Sequence, residues 1–295
     1  MFSAIDLSQL PPPNIIEPLS FEEILQQILG EYKDAYPQHT VALESEPLYK
    51  WAEICAYREL NLRQKINDGA RAVTLATATG ADLDNVFPAA VKRKVLTPAQ
   101  PNAFPPIAAV LENDTDYRQR KQLAIEGLSS AGSRGAYKFH ALSAHPSVKD
   151  VAVDRPEGGV VRISVLSREG NGSTNAEVLA AVEQALNAET VRPLCDTVQL
   201  QSTDILEYQI SAEIIFFDGP DRQLALDAAN NAINQYINNQ HRNGYQITRS
   251  GIHAALHQPG VQNVVLNNPA QNINVGDTQA AYCTSVYIVD GGVYE

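Results

Sequence analysis

Two histidines, His253 and His257, have the spacing that comes closest to a metal-binding motif in this sequence. Histidines four residues apart share one face of a helix, and zinc peptidases combine such a pair with a glutamate directly after the first histidine. Ala254 occupies the glutamate position here, and the sequence offers no evident third ligand. We therefore expect these histidines to be structural, and we expect neither a metal site nor a cofactor site.

Pairs of carboxylates are the second group of residues that could carry out chemistry. Asp114 and Asp116 form one pair, Glu22 and Glu23 form another, and both pairs lie at predicted helix starts. Carboxylates at that position interact favourably with the N–H groups and dipole of a helix, so we interpret them as helix caps. The sequence contains no nucleophile elbow, P-loop or dinucleotide-binding motif. We predict no catalytic residue and no enzyme; the enzymatic alternative, a cell-wall hydrolase, would need an acid pair in a cleft.

The composition of the chain limits its partners. The sequence has 295 residues, of which 44% are hydrophobic, and a formal net charge of −12. This length favours two or more compact units. An acidic surface repels phosphate backbones, which argues against nucleic-acid binding. No apolar run reaches the roughly 18 residues that a membrane span requires, and three widely separated cysteines are typical of a reducing cytoplasm.

An arm and a helical domain form the N-terminal third of the predicted chain. Residues 1–18 are rich in proline and should be extended; they are either a disordered tail or an arm that docks on a neighbouring subunit. Residues 19–96 are expected to be helical, with a first helix from Ser20 to Tyr36 that Ser20 caps. A second, long helix is predicted over Glu46 to Thr79, where Gly80 ends it.

The long helix carries a seam whose spacings alternate between four and three residues, which is typical of helices that pack in bundles. Two interpretations of the seam remain open. The helix packs only on its own domain, or it joins a bundle shared between subunits, because few other helices of this region could cover it. The second interpretation predicts six partner-interface residues: Leu48, Ala52, Cys55, Leu62, Ile66 and Val73.

The rest of the chain divides into a linker and two modules. Residues 97–110 contain several prolines and are interpreted as a stiff linker. Modules are predicted over 111–202 and 203–295, because a His-Ala helix, a proline stop and a strand occur in both, starting at His140 and at His253. The predicted fold class is therefore α+β, with an N-terminal long-helix bundle region followed by two small mixed α+β domains.

The start of the first module is the most distinctive stretch of the sequence. Thr115 is expected to cap a helix that carries three cations, and glycines then allow positive φ before the next helix. The stretch resembles the core signature of the baseplate J family of P2-like contractile-tailed phages. The residues that carry this resemblance are Asp114, Thr115, Asp116, Tyr117, Arg118, Arg120, Gly132, Gly135, Tyr137, Val148 and Val151.

The resemblance extends over almost the whole chain, because further pieces occur in the family's order. These pieces are IDLSQLPPP, LESEPL, AYRE, DLDN, ISVLSRE, ALNAE, VRP and TQAAYCT. The chain departs from the family after Asn85, where Val86, Phe87 and Pro88 stand in place of a turn of small residues. The loop geometry after Asn85 is therefore left open.

The resemblance implies a structural wedge subunit of the virion's tail baseplate, assembled in the bacterial host cytoplasm. The implied partners are an I-like wedge protein, a W-like sheath initiator and further J copies, arranged around a hub as heterotrimeric wedges in a ring. Such a ring would transmit the change that triggers sheath contraction. The alternatives are the same component of a headless tailocin or other contractile injection particle, and a receptor-binding tail protein, although that class favours β-rich repeats.

Overall fold

The computed structural model describes residues 7, 10–39, 43–129, 131–189, 191–193, 195–219 and 221–293. The chain forms two compact units. The helical unit contains Ile5–Arg93 and Asn113–Lys121, and the sheet unit contains Lys94–Glu112 and Gln122–Glu295. Buried apolar clusters of described residues lie in the helical unit and in each of two modules of the sheet unit.

Two helices that pack on each other build the helical unit: α1 (Phe21–Ala35) and α2 (Pro47–Ala72). The hydroxyl of Ser20 accepts a hydrogen bond from the N–H of Glu23 at 3.3 Å, which confirms the predicted cap of α1. Small side chains on α2 let the helices approach closely. The buried residues of this contact are Ile24, Leu25, Ala52 and Ala56.

The long helix α2 is shorter than predicted, because it ends at Ala72 and not at Thr79. The hydroxyls of Thr74 and Thr77 donate to the carbonyl of Arg71, at 3.2 and 2.6 Å. Hydroxyls that bond a helix-end carbonyl offer the backbone an alternative to further helical turns. Gly80, with a φ of 52°, begins the short helix α3 (Gly80–Asn85) instead of ending α2.

The proline-rich stretch was predicted to be a stiff linker. In the structure it forms a hairpin in the sheet unit. Strand β1 (Val95–Thr97) pairs antiparallel with β2 (Val110–Leu111). Gln100 and Ile107 make a further antiparallel bridge towards the tip. The prolines lie beyond this short ladder, where they do not have to donate ladder hydrogen bonds.

Helix α4 (Asp114–Leu123) and helix α5 (Arg134–Ala144) follow the hairpin. The prediction that Thr115 caps α4 is wrong, because the side chain of Asn113 accepts the hydrogen bond from Asp116 N–H at 2.8 Å. Gly132 has a φ of 74° between the two helices, as expected for the glycine turn.

The central module contains one three-stranded sheet. Strand β3 (Val148–Glu157) runs antiparallel to β4 (Val160–Ser167), and β5 (Thr197–Ser202) runs parallel to β4 on its other side. The crossover between β4 and β5 is α6 (Ala176–Leu186). Helices α5 and α6 contribute to the core of the sheet, whose fully buried members include Ala141, Val148, Ile163, Val165, Val182 and Leu186.

The C-terminal module contains the second three-stranded sheet. Strand β6 (Asp204–Phe216) is its centre, followed by α7 (Arg222–Gln240) and α8 (Arg249–Leu256). Strand β7 (Val261–Asn268) pairs antiparallel with β6, and β8 (Gln279–Val293) pairs parallel with it. The order β7-β6-β8 makes β8 an edge strand of this sheet.

The two modules share one arrangement, which explains the repeated sequence pattern. In each, a short helix and a proline lead into the strand that pairs antiparallel with the central strand, and another helix follows the central strand. A parallel strand comes last in both. The predicted fold class, α+β with N-terminal helices followed by two sheet-containing domains, is confirmed.

Candidate assembly surfaces

One side of α2 exposes apolar side chains to solvent along most of the helix. These residues, which we name the α2 stripe, are Trp51, Ile54, Leu62, Ile66 and Val73, and they are 62%, 51%, 62%, 55% and 74% exposed. Their spacing places them on one side of the helix. A different side of α2 buries Ala52 and Ala56 against α1. The helix therefore has two apolar sides, of which the described part of the chain covers one.

The six predicted partner-interface residues fall into two groups on this helix. Leu62, Ile66 and Val73 belong to the α2 stripe, whereas Leu48 and Cys55 are half-buried and Ala52 is buried in the contact with α1. Assignment of these residues to a partner interface remains a prediction. Sequence reasoning missed Trp51 and Ile54, although Trp51 lies three residues before Ile54 and four before Cys55, which was a usable signal.

The N-terminal arm is held on α2 by a buried amide. Asn67 is 2% exposed, its Nδ2 donates to the carbonyl of Glu17 at 2.9 Å, and its Oδ1 accepts from the N–H of Glu17 at 3.3 Å. Arg63 also pairs with the Glu17 carboxylate at 3.4 Å. The end of the predicted arm is therefore fixed to the chain's own helix, while residues 1–6, 8 and 9 lie outside the described residues.

The cations of α4 bind backbone carbonyls of the helical unit. Lys121 is fully buried, and its Nζ donates to the carbonyls of Leu83, Asp84 and Val86 at 2.6, 3.1 and 2.7 Å. Burial lowers the pKa of the Lys121 ammonium; the Asp84 charge opposes this effect. Because α3 is short and its final carbonyls have no helical partner, the ammonium completes the end of that helix.

Arg118 binds backbone carbonyls of the turns that follow α2. Its Nε donates to the carbonyl of Leu75 at 2.7 Å and its Nη2 to the carbonyl of Ala78 at 2.6 Å. Arg120 in turn donates to the carbonyl of Lys92 at 2.6 Å. The cations of the signature helix therefore hold an irregular backbone in place, which is a structural task.

Asp114 and Tyr117 are two further residues of α4 that contact other parts of the helical unit. The Asp114 carboxylate accepts from the N–H of Gly80 at 3.0 Å and pairs with Arg93 at 2.7 Å, and these two contacts lower the pKa of Asp114. The buried Tyr117 ring lies 4.6 Å from the Arg93 guanidinium and 4.8 Å from Lys121 Nζ, so it stabilises both cations. Asp114 thus binds the start of α3, a contact that the sequence could not reveal.

A buried polar junction joins the central and C-terminal modules. The Asp150 side chain on β3 accepts from the N–H of Asn243 at 3.0 Å and pairs with Lys138 of α5 at 2.9 Å. The Thr203 hydroxyl donates to Oδ1 of Asn243 at 2.8 Å. Asp150 is 3% exposed, so the Asn243 N–H and the Lys138 ammonium compensate for the burial of its carboxylate. Specific hydrogen bonds therefore connect these two modules.

His253 lies in α8 and His257 is the residue that follows its end. Among the described residues, no group of three or more His, Cys, Asp or Glu side chains is arranged to hold a metal ion. No helix in the described part of the chain is long and apolar enough to cross a membrane.

Comparison with known proteins gives matches along nearly the whole chain. The Baseplate J-like N-terminal domain matches residues 44–100, the Baseplate J-like central domain matches 129–202, and the Baseplate J-like protein C-terminal domain matches 208–289. Baseplate protein J of Escherichia phage P2 is 47% identical over 296 residues, which cover 98% of this chain and 98% of that protein.

Solved structures that are similar in part include that of a contractile baseplate. A chain in the cryo-EM structure of the anti-feeding prophage (AFP) baseplate superposes with a TM-score of 0.42 and 15% identity, covering 60% of this chain and 43% of that chain. A likeness at this level adds nothing to the matches in sequence.

Proposed function

The chain belongs to the baseplate J family, and we propose that it is a structural wedge subunit of a contractile-tail baseplate. It assembles in the host cytoplasm with an I-like wedge protein, a W-like sheath initiator and further copies of itself around a central hub. It acts as a scaffold and not as an enzyme. The 47% identity with Baseplate protein J of phage P2 supports this role, which is the same in a headless tailocin.

The α2 stripe is the observation that carries the proposal. Full burial of one large apolar side chain contributes about 1.5–3 kcal/mol. Five such side chains that are 51–74% exposed could together contribute about 6 kcal/mol before the costs of association. A bundle in which two copies of this chain and one I-like chain pack their long helices would cover the stripe.

Contacts between wedges are assigned to the C-terminal module, residues 203–295. Its strand β8 lies at the edge of the sheet, and Tyr287 on that strand is 66% exposed. An edge strand can pair with a neighbouring subunit through main-chain hydrogen bonds. Wedges joined in this way would close into a ring that transmits the change triggering sheath contraction.

Replacement of one stripe residue tests the wedge role. In Leu62→Asp an exposed leucine becomes a carboxylate, so the isolated chain should fold normally while burial of an unpaired charge blocks the bundle. Tyr57→Asp is the matched control, because Tyr57 is 61% exposed on the same helix but outside the stripe. We expect Leu62→Asp to lose co-purification with the I-like protein and Tyr57→Asp to retain it. Full co-purification of both variants would contradict the proposal.

A further inference from the structure

Two cations lie among the apolar side chains of the α2 stripe. Arg58 and Lys65 are both exposed, and they are seven residues apart in the sequence. This spacing corresponds to about 10.5 Å along the helix axis. Because each residue turns the helix by about 100°, both cations lie between Ile54 on one side and Leu62 on the other. The stripe therefore presents two positive charges within its apolar surface.

The described part of the chain does not neutralise these two charges. Among the described residues, neither Arg58 nor Lys65 takes part in an ion pair or a side-chain hydrogen bond. Asp68 follows Lys65 by three residues, but it pairs with Arg71 at 3.4 Å. The helix Pro47–Ala72 contains five Lys or Arg and three Asp or Glu, a net charge of +2, whereas the whole chain has a net charge of −12. The stripe thus lies on a basic helix of an acidic chain.

Packing of the stripe against a partner helix removes these charges from water. Burial of a charge is costly unless an opposite charge contacts it. Charged residues beside the apolar seam of a helix bundle determine which helices can pair, because opposite charges attract across the seam and like charges repel. The helix that covers Arg58 and Lys65 must therefore carry carboxylates. Because the two cations are one heptad apart, carboxylates seven residues apart on the partner match them best.

The helices of a second copy do not meet this requirement. Glu53 and Glu59 of α2 pair with Lys50 and Arg63 of their own helix. In none of the described helices of this chain do two Asp or Glu residues lie seven positions apart. Two α2 stripes placed face to face would also bring cations against cations, which repel each other. The charge pattern therefore selects a helix of a different protein.

We propose that Arg58 and Lys65 bind two carboxylates, seven residues apart, on an acidic helix of another protein, which in the proposed wedge is the I-like chain. The other edge of the stripe, formed by Leu62, Ile66 and Val73, is apolar, so α2 of a second copy packs there without repulsion between cations. The inference rests on the proposed wedge function, and it specifies the charge pattern by which α2 selects its partner helix.

Zero-length cross-linking in assembled baseplates tests the contact directly. A water-soluble carbodiimide joins a lysine amine to a carboxylate that touches it, through an amide bond and with loss of water. The full-length variant Arg58→Lys provides a lysine at both positions. We expect mass spectrometry to find amide cross-links from positions 58 and 65 to two Asp or Glu residues seven apart in the I-like protein. Any other pattern, including cross-links only to copies of this chain, only to a third protein, or none, would overturn the proposal.

Charge reversal separates this contact from the wedge role. Arg58→Glu combined with Lys65→Glu should weaken binding of the full chain to the I-like protein by about tenfold or more. Arg58→Lys combined with Lys65→Arg keeps both charges and should retain the affinity. The control is Arg134→Glu combined with Arg155→Glu, because both residues are exposed outside α2 and the net charge changes equally.

Equal affinities of the reversed variant and its control would overturn the charge pairing. If Leu62→Asp loses co-purification while the reversed variant binds normally, the wedge function holds and only the charge pairing is wrong. If Leu62→Asp and the reversed variant both bind normally, the wedge function itself is contradicted.

Discussion

Replacement of Lys121 by methionine tests the structural interpretation of the signature helix. The ammonium donates to three backbone carbonyls from a fully buried position. Methionine retains most of the volume but donates no hydrogen bond, so three carbonyls lose a charged donor. A buried acceptor without its partner costs about 1–3 kcal/mol. Methionine also removes the cost of burying a charge, so we use the lower end of this range, about 1 kcal/mol, for each carbonyl. For three carbonyls, the free energy of unfolding should fall by about 3 kcal/mol.

Urea unfolding of the full chain measures this loss. Trp51 is the only tryptophan of the sequence and lies in the same unit as Lys121, so its fluorescence reports on the relevant unit. With an m value of about 1.5 kcal/mol/M, the midpoint should fall by about 2 M. Lys92→Met is the control, because Lys92 is exposed in the same unit, and its effect should stay within about 0.5 kcal/mol. Equal midpoints for the two variants would refute the carbonyl-binding role of Lys121.

Two further predictions concern the arm and the buried residue His241. Asn67→Ala removes both hydrogen bonds to the Glu17 backbone, so amide hydrogen exchange at Glu17 should rise about tenfold or more, whereas Asn61→Ala at an exposed site should leave it unchanged. Burial lowers the pKa of His241, an effect that the Lys149 charge strengthens and the hydrogen bond with the Ala281 carbonyl opposes. The unfolded state therefore binds more protons below about pH 6.5, and the chain should lose stability as pH falls from that value towards the folded pKa. Thermal midpoints at pH 7 and 5.5 should differ less in His241→Gln than in the natural chain, and an equal difference would contradict this assignment.

Local signals made part of the fold predictable from sequence. Ser20 and Glu23 begin α1 with a capping pattern that depends only on neighbouring residues. The helix, proline and strand pattern at His140 and His253 was likewise a local signal, because a proline beyond the first turn removes a backbone donor and stops a helix. The end of α2 was not predictable in the same way, since Thr74 and Thr77 end it by hydroxyl bonds before the expected stop at Gly80.

Contacts between segments that are far apart in the chain could not be predicted from the sequence. Lys121 binds the carbonyl of Leu83, 38 positions earlier, and Asp150 accepts from the N–H of Asn243, 93 positions later. Nothing in the residue types of α4 distinguishes cations that bind carbonyls from cations that face solvent. The two apolar sides of α2 show the same limit, because the seam mixed Ala52, which packs on α1, with Leu62, which is exposed.

Oxidative footprinting of Trp51 tests the central claim most directly. The side chain is 62% exposed in the α2 stripe, so it should be oxidised rapidly in the isolated chain. If the stripe packs against partner helices in the wedge, the oxidation rate of Trp51, measured by mass spectrometry, should fall strongly in assembled baseplates while that of Tyr57 stays nearly constant. Equal oxidation of Trp51 in the free and assembled chain would contradict the account.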